Sequence, residues 1–304
     1  MTPGRRKQPG GEADALAGLV ESLAVLLDAG LTPRSAWQAS AANGVHPIAV
    51  VVARSALAQT SCAQALLEEA VTDDVRAIAA AWQVAEQSGA PLGHALRTVA
   101  ETLREVAEAE RETDVALSGP RATARLVSWL PLAGAAMSVA LGADLVRAVA
   151  SASGLIAVGG GALLMLCGRL WMRSLVKRAL VRPAMAGSAE ELIAIGLAGG
   201  ASAGAALDAA RRATAAVGLP ALDDRAAQGV LRLAASAGAP AAELLTAAAR
   251  QQRRVARADA RRAATTLGVR LMLPLGACVL PSFLLLAVAP LVLSLLSSTT
   301  AGFR

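Results

Sequence analysis

Apolar positions fall into two kinds of stretch. In one, they recur at helical spacing between polar residues. In the other they run almost unbroken, over 126–143, 148–168 and 271–296. Each of these three meets the length of about 17–25 residues that a bilayer-spanning helix needs. Pro274, Pro281 and Pro290 each take a backbone donor out of the third, which predicts kinks there. The run from Ala13 to Ala29 follows Arg5, Arg6 and Lys7 in the manner of a signal peptide. Glu21 and Asp28 interrupt it and no small-residue cleavage site follows, so it predicts an amphipathic helix.

The remaining pattern is helical throughout, and no segment alternates as a strand would. Thr32-Pro33 reads as an N-cap with Pro in the first helical position. Ser188 and Glu191 have the spacing of a capping box. Thr72 precedes Asp73 and Asp74, an N-cap with acids in the first turn. Gly89-Ala-Pro91 and Gly238-Ala-Pro240 place a C-terminal Gly before an N-terminal Pro, a tight link between antiparallel helices. These signals predict a disordered basic N-terminus over 1–11 and two helical bundles, over 12–120 and 186–268.

The two bundles look like copies of one unit. Ser88-Gly-Ala-Pro91 matches Ala237-Gly-Ala-Pro240, and Val106-Ala-Glu-Ala-Glu110 matches Val255-Ala-Arg-Ala-Asp259, both at an offset of 149. Trp129-Leu-Pro-Leu132 matches Met272-Leu-Pro-Leu275 at an offset of 143. A helix ending at Gly30 resembles one ending at Gly200. The fold class this predicts is an all-α membrane protein, with two repeated cytoplasmic helical bundles and three transmembrane helices.

Charge orients the spans, because basic residues stay on the cytoplasmic side. Arg121 and Arg125 precede the first span; Arg169, Arg173, Lys177, Arg178 and Arg182 follow the second; Arg261, Arg262 and Arg270 precede the third. The turn between the first two carries Arg147 beside Asp144. The N-terminus, and 1–125 and 169–270 generally, are therefore expected in the cytoplasm. The 143–148 turn and the C-terminus are expected outside.

Composition narrows the class further. Of 304 residues 55% are hydrophobic, 17% charged and 2% aromatic, and mean hydropathy is +0.51. A disordered chain would be polar and highly charged. Three scattered Cys build no disulfide framework. Net charge is +6 and all but two of the 29 basic residues are Arg, a skew that a GC-rich genome also produces. Nucleic-acid readers often interleave aromatics for stacking, and this chain holds two Phe, four Trp and no Tyr, so no nucleic-acid partner is expected.

Catalytic signatures fail in turn. Neither Lys7 nor Lys177 follows a Gly, so there is no phosphate-binding P-loop. Gly200-Ala-Ser202-Ala-Gly204 has the letters of a nucleophile elbow, but that motif needs a preceding strand and a later His, and His46 and His94 both come earlier. Cys62, Cys167 and Cys278 show no metal-ligand spacing. His94 reads as an exposed or first-turn residue rather than a phosphoacceptor. The spans hold no interior ionisable group of the kind coupled transporters use, which disfavours a small-molecule permease. No catalytic residue, metal or cofactor is expected.

Two features point to interaction instead. Glu101, Glu105, Glu108 and Glu112 lie on one helix face, and at offset 149 their equivalents are Arg250, Arg254, Arg257 and Arg261. Like charges at i,i+4 weaken a lone helix, so an acidic and a basic stripe at matching positions invite parallel pairing, within one chain or between protomers. The plainer alternative is two solvated faces, with Arg97, Arg104 and Arg111 relieving the acids and lipid headgroups attracting the arginines. The second feature is small residues every fourth position, Gly134, Ser138 and Gly142 in the first span and Ser153, Ala157 and Gly161 in the second. Such faces let membrane helices approach closely, though an Ala-rich chain also yields them by chance.

Each bundle opens on an "L-x-x-G-L/A-x-x-x-x-A-L/W" pattern and continues as "x-G-A-P-(x)4-L-(x)n-R", best seen from Val84 to Leu96. In these motifs and in the order bundle, two spans, bundle, span, the chain resembles the type II secretion system F domain. That domain occurs in inner-membrane platform proteins of type II secretion, type IV pili and tight-adherence pili. The short N-terminus and compact second unit fit the tight-adherence branch. The resemblance implies a multi-pass protein of the inner cell membrane that couples a cytoplasmic assembly ATPase to pilin-like substrates. It also implies a partnership with a second platform subunit or with itself. Coupling residues on this reading are the two charge stripes and the basic collar Arg173, Lys177, Arg178 and Arg182. The competing reading is a membrane signalling adaptor with long juxtamembrane helices; it expects an output domain, and none is read between Met1 and Arg304.

Overall fold

The computed structural model describes residues 10–57, 61–140, 152–179, 187–220, 222–288 and 292. The 143–148 turn, Arg182, Pro290, the tail from Ser297 and parts of all three expected spans lie outside them. Among the described residues every regular element is helical. They are α1 (Gly11–Asp28), α2 (Pro33–Ala42), α3 (Pro47–Leu57), α4 (Cys62–Glu68), α5 (Asp73–Ser88), α6 (Leu92–Ala140), α7 (Ala152–Ala179), α8 (Ser188–Ala198), α9 (Ala203–Ala216), α10 (Arg225–Ala237) and α11 (Ala241–Arg270). Short helical pieces continue from Met272 to Val288.

The chain divides into two compact units. One takes Met1–Arg111 and Arg182–Ala258; the other takes Glu112–Val181 and Asp259–Arg304.

In the first unit the caps follow the local sequence. The hydroxyls of Thr32, Ser61, Thr72 and Ser202 accept from the backbone N–H three residues on, as N-caps do. Ser202 thereby has its place, at the head of α9 and not in a nucleophile elbow. Gly89 and Gly238 end α5 and α10 with φ of 70° and 64°, and Pro91 and Pro240 carbonyls accept the first bonds of α6 and α11. Gly30 and Gly200, at φ 90° and 83°, close the turns after α1 and α8.

One expected cap is different. Ser188 is not an N-cap; Gly187 holds that place with φ 79° and no side-chain cap. Its N–H donates to Gln252 Oε1 on α11 at 3.1 Å. The counterpart at α1 is built the same way: Gly10, φ 73°, donates to Glu110 Oε2 on α6 at 3.0 Å. Both glycines sit where a Cβ would strike a backbone carbonyl, of Ala107 for Gly10 and of Ala249 for Gly187. Long-helix contact therefore dictates these helix starts, and Glu191 is released for other use.

The core of this unit is continuous. α5 buries nine residues and packs on α8 and α9 as well as on α1 and α4. Trp82 on α5 meets Trp37 on α2 with ring centroids 5.8 Å apart. Elsewhere the core interleaves Ala with Leu, Ile and Val in nearly equal share. Gly196 of α8 takes the Ala206 methyl so closely that an added Cβ would lie 2.9 Å from it. Close approach of small residues supplies the packing that aromatics supply in other cores. Helices read as two bundles thus share one interior.

In the second unit Leu117, Met172, Leu267 and Leu271 form a buried cluster where α6, α7 and the end of α11 meet. Beyond it the helix runs on as Met272–Pro274, a π-helical Leu275–Val279, α-helical Leu280–Phe283 and π-helical Leu284–Val288. A wider turn follows Pro274 directly and Pro281 after two further residues, where a proline's ring and missing N–H disturb regular bonding. Gly161 meets Leu286 and Leu285 of this segment, and Gly168 meets Cys278. The small residue Gly161 therefore serves contact with the third apolar segment. One helix among the described residues, Ala241–Leu286, is long and apolar enough to cross a membrane.

Gly187→Ala is expected to destabilise the first unit more than Gly238→Ala. Both force an L side chain into the left-handed region, at about 1–2 kcal/mol, but only Gly187 also abuts a carbonyl. Thermal unfolding of the detergent-purified variants checks the order; equal losses would refute the packing argument.

Candidate interaction site

α6 has two charged edges. On one, Arg97, Arg104 and Arg111 recur every seven residues and meet Asp28, Glu21 and Asp14 of α1, also seven apart. As numbers rise on α1 they fall on α6, so this ladder is antiparallel. Arg111 reaches Asp14 at 2.6 Å, and Arg104 holds both carboxylate oxygens of Glu21. Gly93 leaves room for the Asp28 carboxylate at the α6 N-terminus, where a Cβ would collide with it. These arginines are therefore ion-paired to α1, and Arg104 also feels the charge of Glu101 on the stripe beside it.

The other edge carries the glutamates. Within the first unit, Glu101 faces Arg250 at 3.5 Å. Glu105 lies 3.6 Å from Arg257 and accepts from Arg253 Nε at 2.9 Å. Within the second unit, Glu112 receives a forked bond from Arg261, 2.8 Å from Nε. The pairs Glu101–Arg250 and Glu112–Arg261 keep the offset of 149, so here α6 and α11 run parallel, inside one chain. The pairing is not one-to-one. Arg257 goes to Glu105, Arg254 Nε turns to its own helix at the Arg250 carbonyl, and Glu108 is exposed. Arg173 is exposed on α7, whose last turns contain Lys177 and Arg178; Arg182 lies outside the described residues.

The centre of the seam is a residue that sequence reasoning missed. Arg253 is 5% exposed. It bridges Glu105 on α6 to Glu191 on α8, with Nη1 2.9 Å from Glu191 Oε2. Thr102 donates its hydroxyl to the same carboxylate at 2.9 Å. The neighbouring Glu190, 1% exposed, accepts from Gln252, whose other amide atom holds the Gly187 N–H. Burial drives the Glu191 carboxyl above the ordinary carboxylate range, against the pull of Arg253 and of the Thr102 bond. Beside the network lies an apolar cavity of about 40 Å³ walled by Val99, Leu103, Ile195 and Leu219, room for a few waters and not for a metabolite. No cluster suited to a metal ion occurs among the described residues.

The arrangement is built to hold helices in register. Its exposed pairs contribute about 0–1 kcal/mol each. The buried triad is different in kind, since removing one partner strands a charge in a low-dielectric interior, at about 3–5 kcal/mol.

Residues 19–140 match the family described as Type II secretion system (T2SS), protein F. The match runs from within α1 to the end of α6, so it takes in the acidic edge of the seam. No curated protein is significantly similar to the chain. The resemblance to the F family holds through this stretch, and proteins of that family are inner-membrane components of secretion and pilus machines, platform parts rather than enzymes.

Arg253→Met should destabilise the first unit by about 3 kcal/mol or more, and Arg254→Met by little; denaturant unfolding of the two variants compares them. Glu191→Gln should change the pH profile. A carboxyl whose folded pKa is raised binds its proton longer when folded, so stability falls as pH climbs from the ordinary carboxylate pKa through the raised one. The Gln variant should lose that fall while keeping acceptors for Thr102 and Arg253. An unchanged profile would exclude Glu191 as its source.

Proposed function

We propose that this chain, with its type II secretion system F domain over 19–140, is an inner-membrane platform of a type II secretion, type IV pilus or tight-adherence pilus machine. The family match carries the reading. On it, a cytoplasmic assembly ATPase supplies energy, pilin-like subunits are the cargo, and a second platform subunit or a second copy completes the assembly. The chain itself performs no catalysis; it needs helices held in register and anchored in the bilayer.

The topology we propose has three spans, with the N-terminus in the cytoplasm and the C-terminus outside. Support comes from the second unit, where large apolar side chains stand uncovered on each candidate segment. Leu126 is 76% exposed, Ile156 75% and Met272 68%. Soluble surfaces rarely gather so much bare apolar area, and lipid tails would cover it. The acidic and basic seam, with the collar Arg173, Lys177, Arg178 and Arg182, is the part proposed to transmit movement. The seam draws support from the long helices it joins, each contributing residues to both units. Repetition of the bundle is proposed as the origin of the seam, supported by the matched Gly10 and Gly187 starts and the matched Gly-Ala-Pro turns.

Two measurements test this. Affinity capture of the chain from solubilised membranes should bring down a secretion ATPase, and capture of the Glu112→Arg variant should bring down less; an ATPase-free complex would sink the platform reading. In a variant lacking native Cys, Leu145→Cys and Ser298→Cys should react with an impermeant maleimide in spheroplasts, whereas Ser236→Cys should react only after lysis. Labelling of Ser236→Cys in intact spheroplasts would overturn the topology.

A further inference from the structure

Cations in the second unit greatly outnumber acids. Over 112–140, 152–179 and 259–288 the sequence holds eight Arg and Lys177 against Glu112, Asp114 and Asp259. Arg261 is taken by Glu112, and Arg262 faces Asp259 at 3.3 Å. Three of the others, Arg169, Arg173 and Arg270, gather at one height, because the buried cluster of Leu117, Met172, Leu267 and Leu271 sets α6, α7 and α11 side by side there. Arg169 and Arg173 flank Met172 within a turn, and Arg270 precedes Leu271. All three are exposed, and none forms an ion pair among the described residues.

Their neighbours identify the partner. Leu170 and Trp171 lie between Arg169 and Arg173 in the chain and are 55% and 45% exposed; Val269 and Met272, on either side of Arg270, are each 68% exposed. Bare aliphatic groups, an indole and guanidinium groups around the same helix turns suit the boundary of a bilayer, where stems and rings enter the acyl region and charged heads reach phosphates. A soluble acidic protein would answer the charge and leave the apolar groups in water. Guanidinium also matches phosphate in geometry, with two parallel N–H donors.

We propose that Arg169, Arg173 and Arg270 form a binding collar for anionic phospholipid headgroups of the cytoplasmic leaflet. The proposal rests on the membrane reading above. It adds that the bilayer must supply negative charge at this height to neutralise cations that the chain leaves uncompensated.

The test uses the full chain reconstituted into vesicles of phosphatidylcholine, alone or with an equal part of phosphatidylglycerol. Alkaline extraction reports insertion, and lipid co-purifying after mild solubilisation is weighed by mass spectrometry. The collar predicts phosphatidylglycerol retained in excess over its share. Each Arg→Gln change should lower that excess about fivefold, the equivalent of about 1 kcal/mol per cation near an anionic surface. Raising salt should weaken it too. A chain that inserts into both vesicles and retains lipid in proportion overturns the collar and spares the membrane reading, as does a triple Gln variant that retains as much phosphatidylglycerol as the parent. A chain stripped from both vesicles by alkali overturns the membrane reading and the collar with it.

Discussion

Charge on α6 must be neutralised on two sides by two different helices, and the rest of the first unit is arranged around that requirement. One edge is basic and takes α1 antiparallel; the other is acidic and takes α11 parallel. A helix with mixed edges placed in the wrong register would set like charges together, so the ladders penalise slippage more than they add stability. Arg253 turns this preference into a constraint. It is buried against Glu105 and Glu191, so α6, α8 and α11 must all be in place before its charge is satisfied. Small side chains complete the arrangement. An Ala-rich interior yields modest dispersion energy per residue and many equivalent packings, and a buried ion pair discriminates among packings that apolar contact leaves nearly degenerate.

Much of this was legible in the sequence because it is local. The caps at Thr32 and Thr72 and the Gly-Ala-Pro turns follow from backbone chemistry within a few residues. The acidic and basic stripes were visible because the repeat places Glu101 and Arg250, and Glu112 and Arg261, at one offset. The choice between pairing within a chain and between chains was not, since it depends on how far apart the folded helices lie.

Other features were hidden because a third element decides them. Arg253 sits in a run with Arg250, Arg254 and Arg257, and nothing local marks it as the buried one; the approach of α8 does. Glu191 had the spacing of a capping box, but the cap went to Gly187 because α11 supplies Gln252 there. Arg97, Arg104 and Arg111 were read against the acids of their own helix. The partner ladder Asp14, Glu21 and Asp28 carries the same seven-residue period, a signal that only comparison between two segments makes visible.

The helix starts at Gly10 and Gly187 carry a consequence for how such a chain varies in length. α1 has 18 residues and α8 has 11, a difference of seven, or about two turns. The carbonyl each start abuts shifts in step: Ala107 lies sixteen residues beyond Pro91, and Ala249 nine beyond Pro240. Each short helix thus behaves as a sliding scale laid on a long one, whose graduations are seven residues wide. A seven-residue difference turns a helix face by only about 20°, so the same face returns to the same neighbour two turns along.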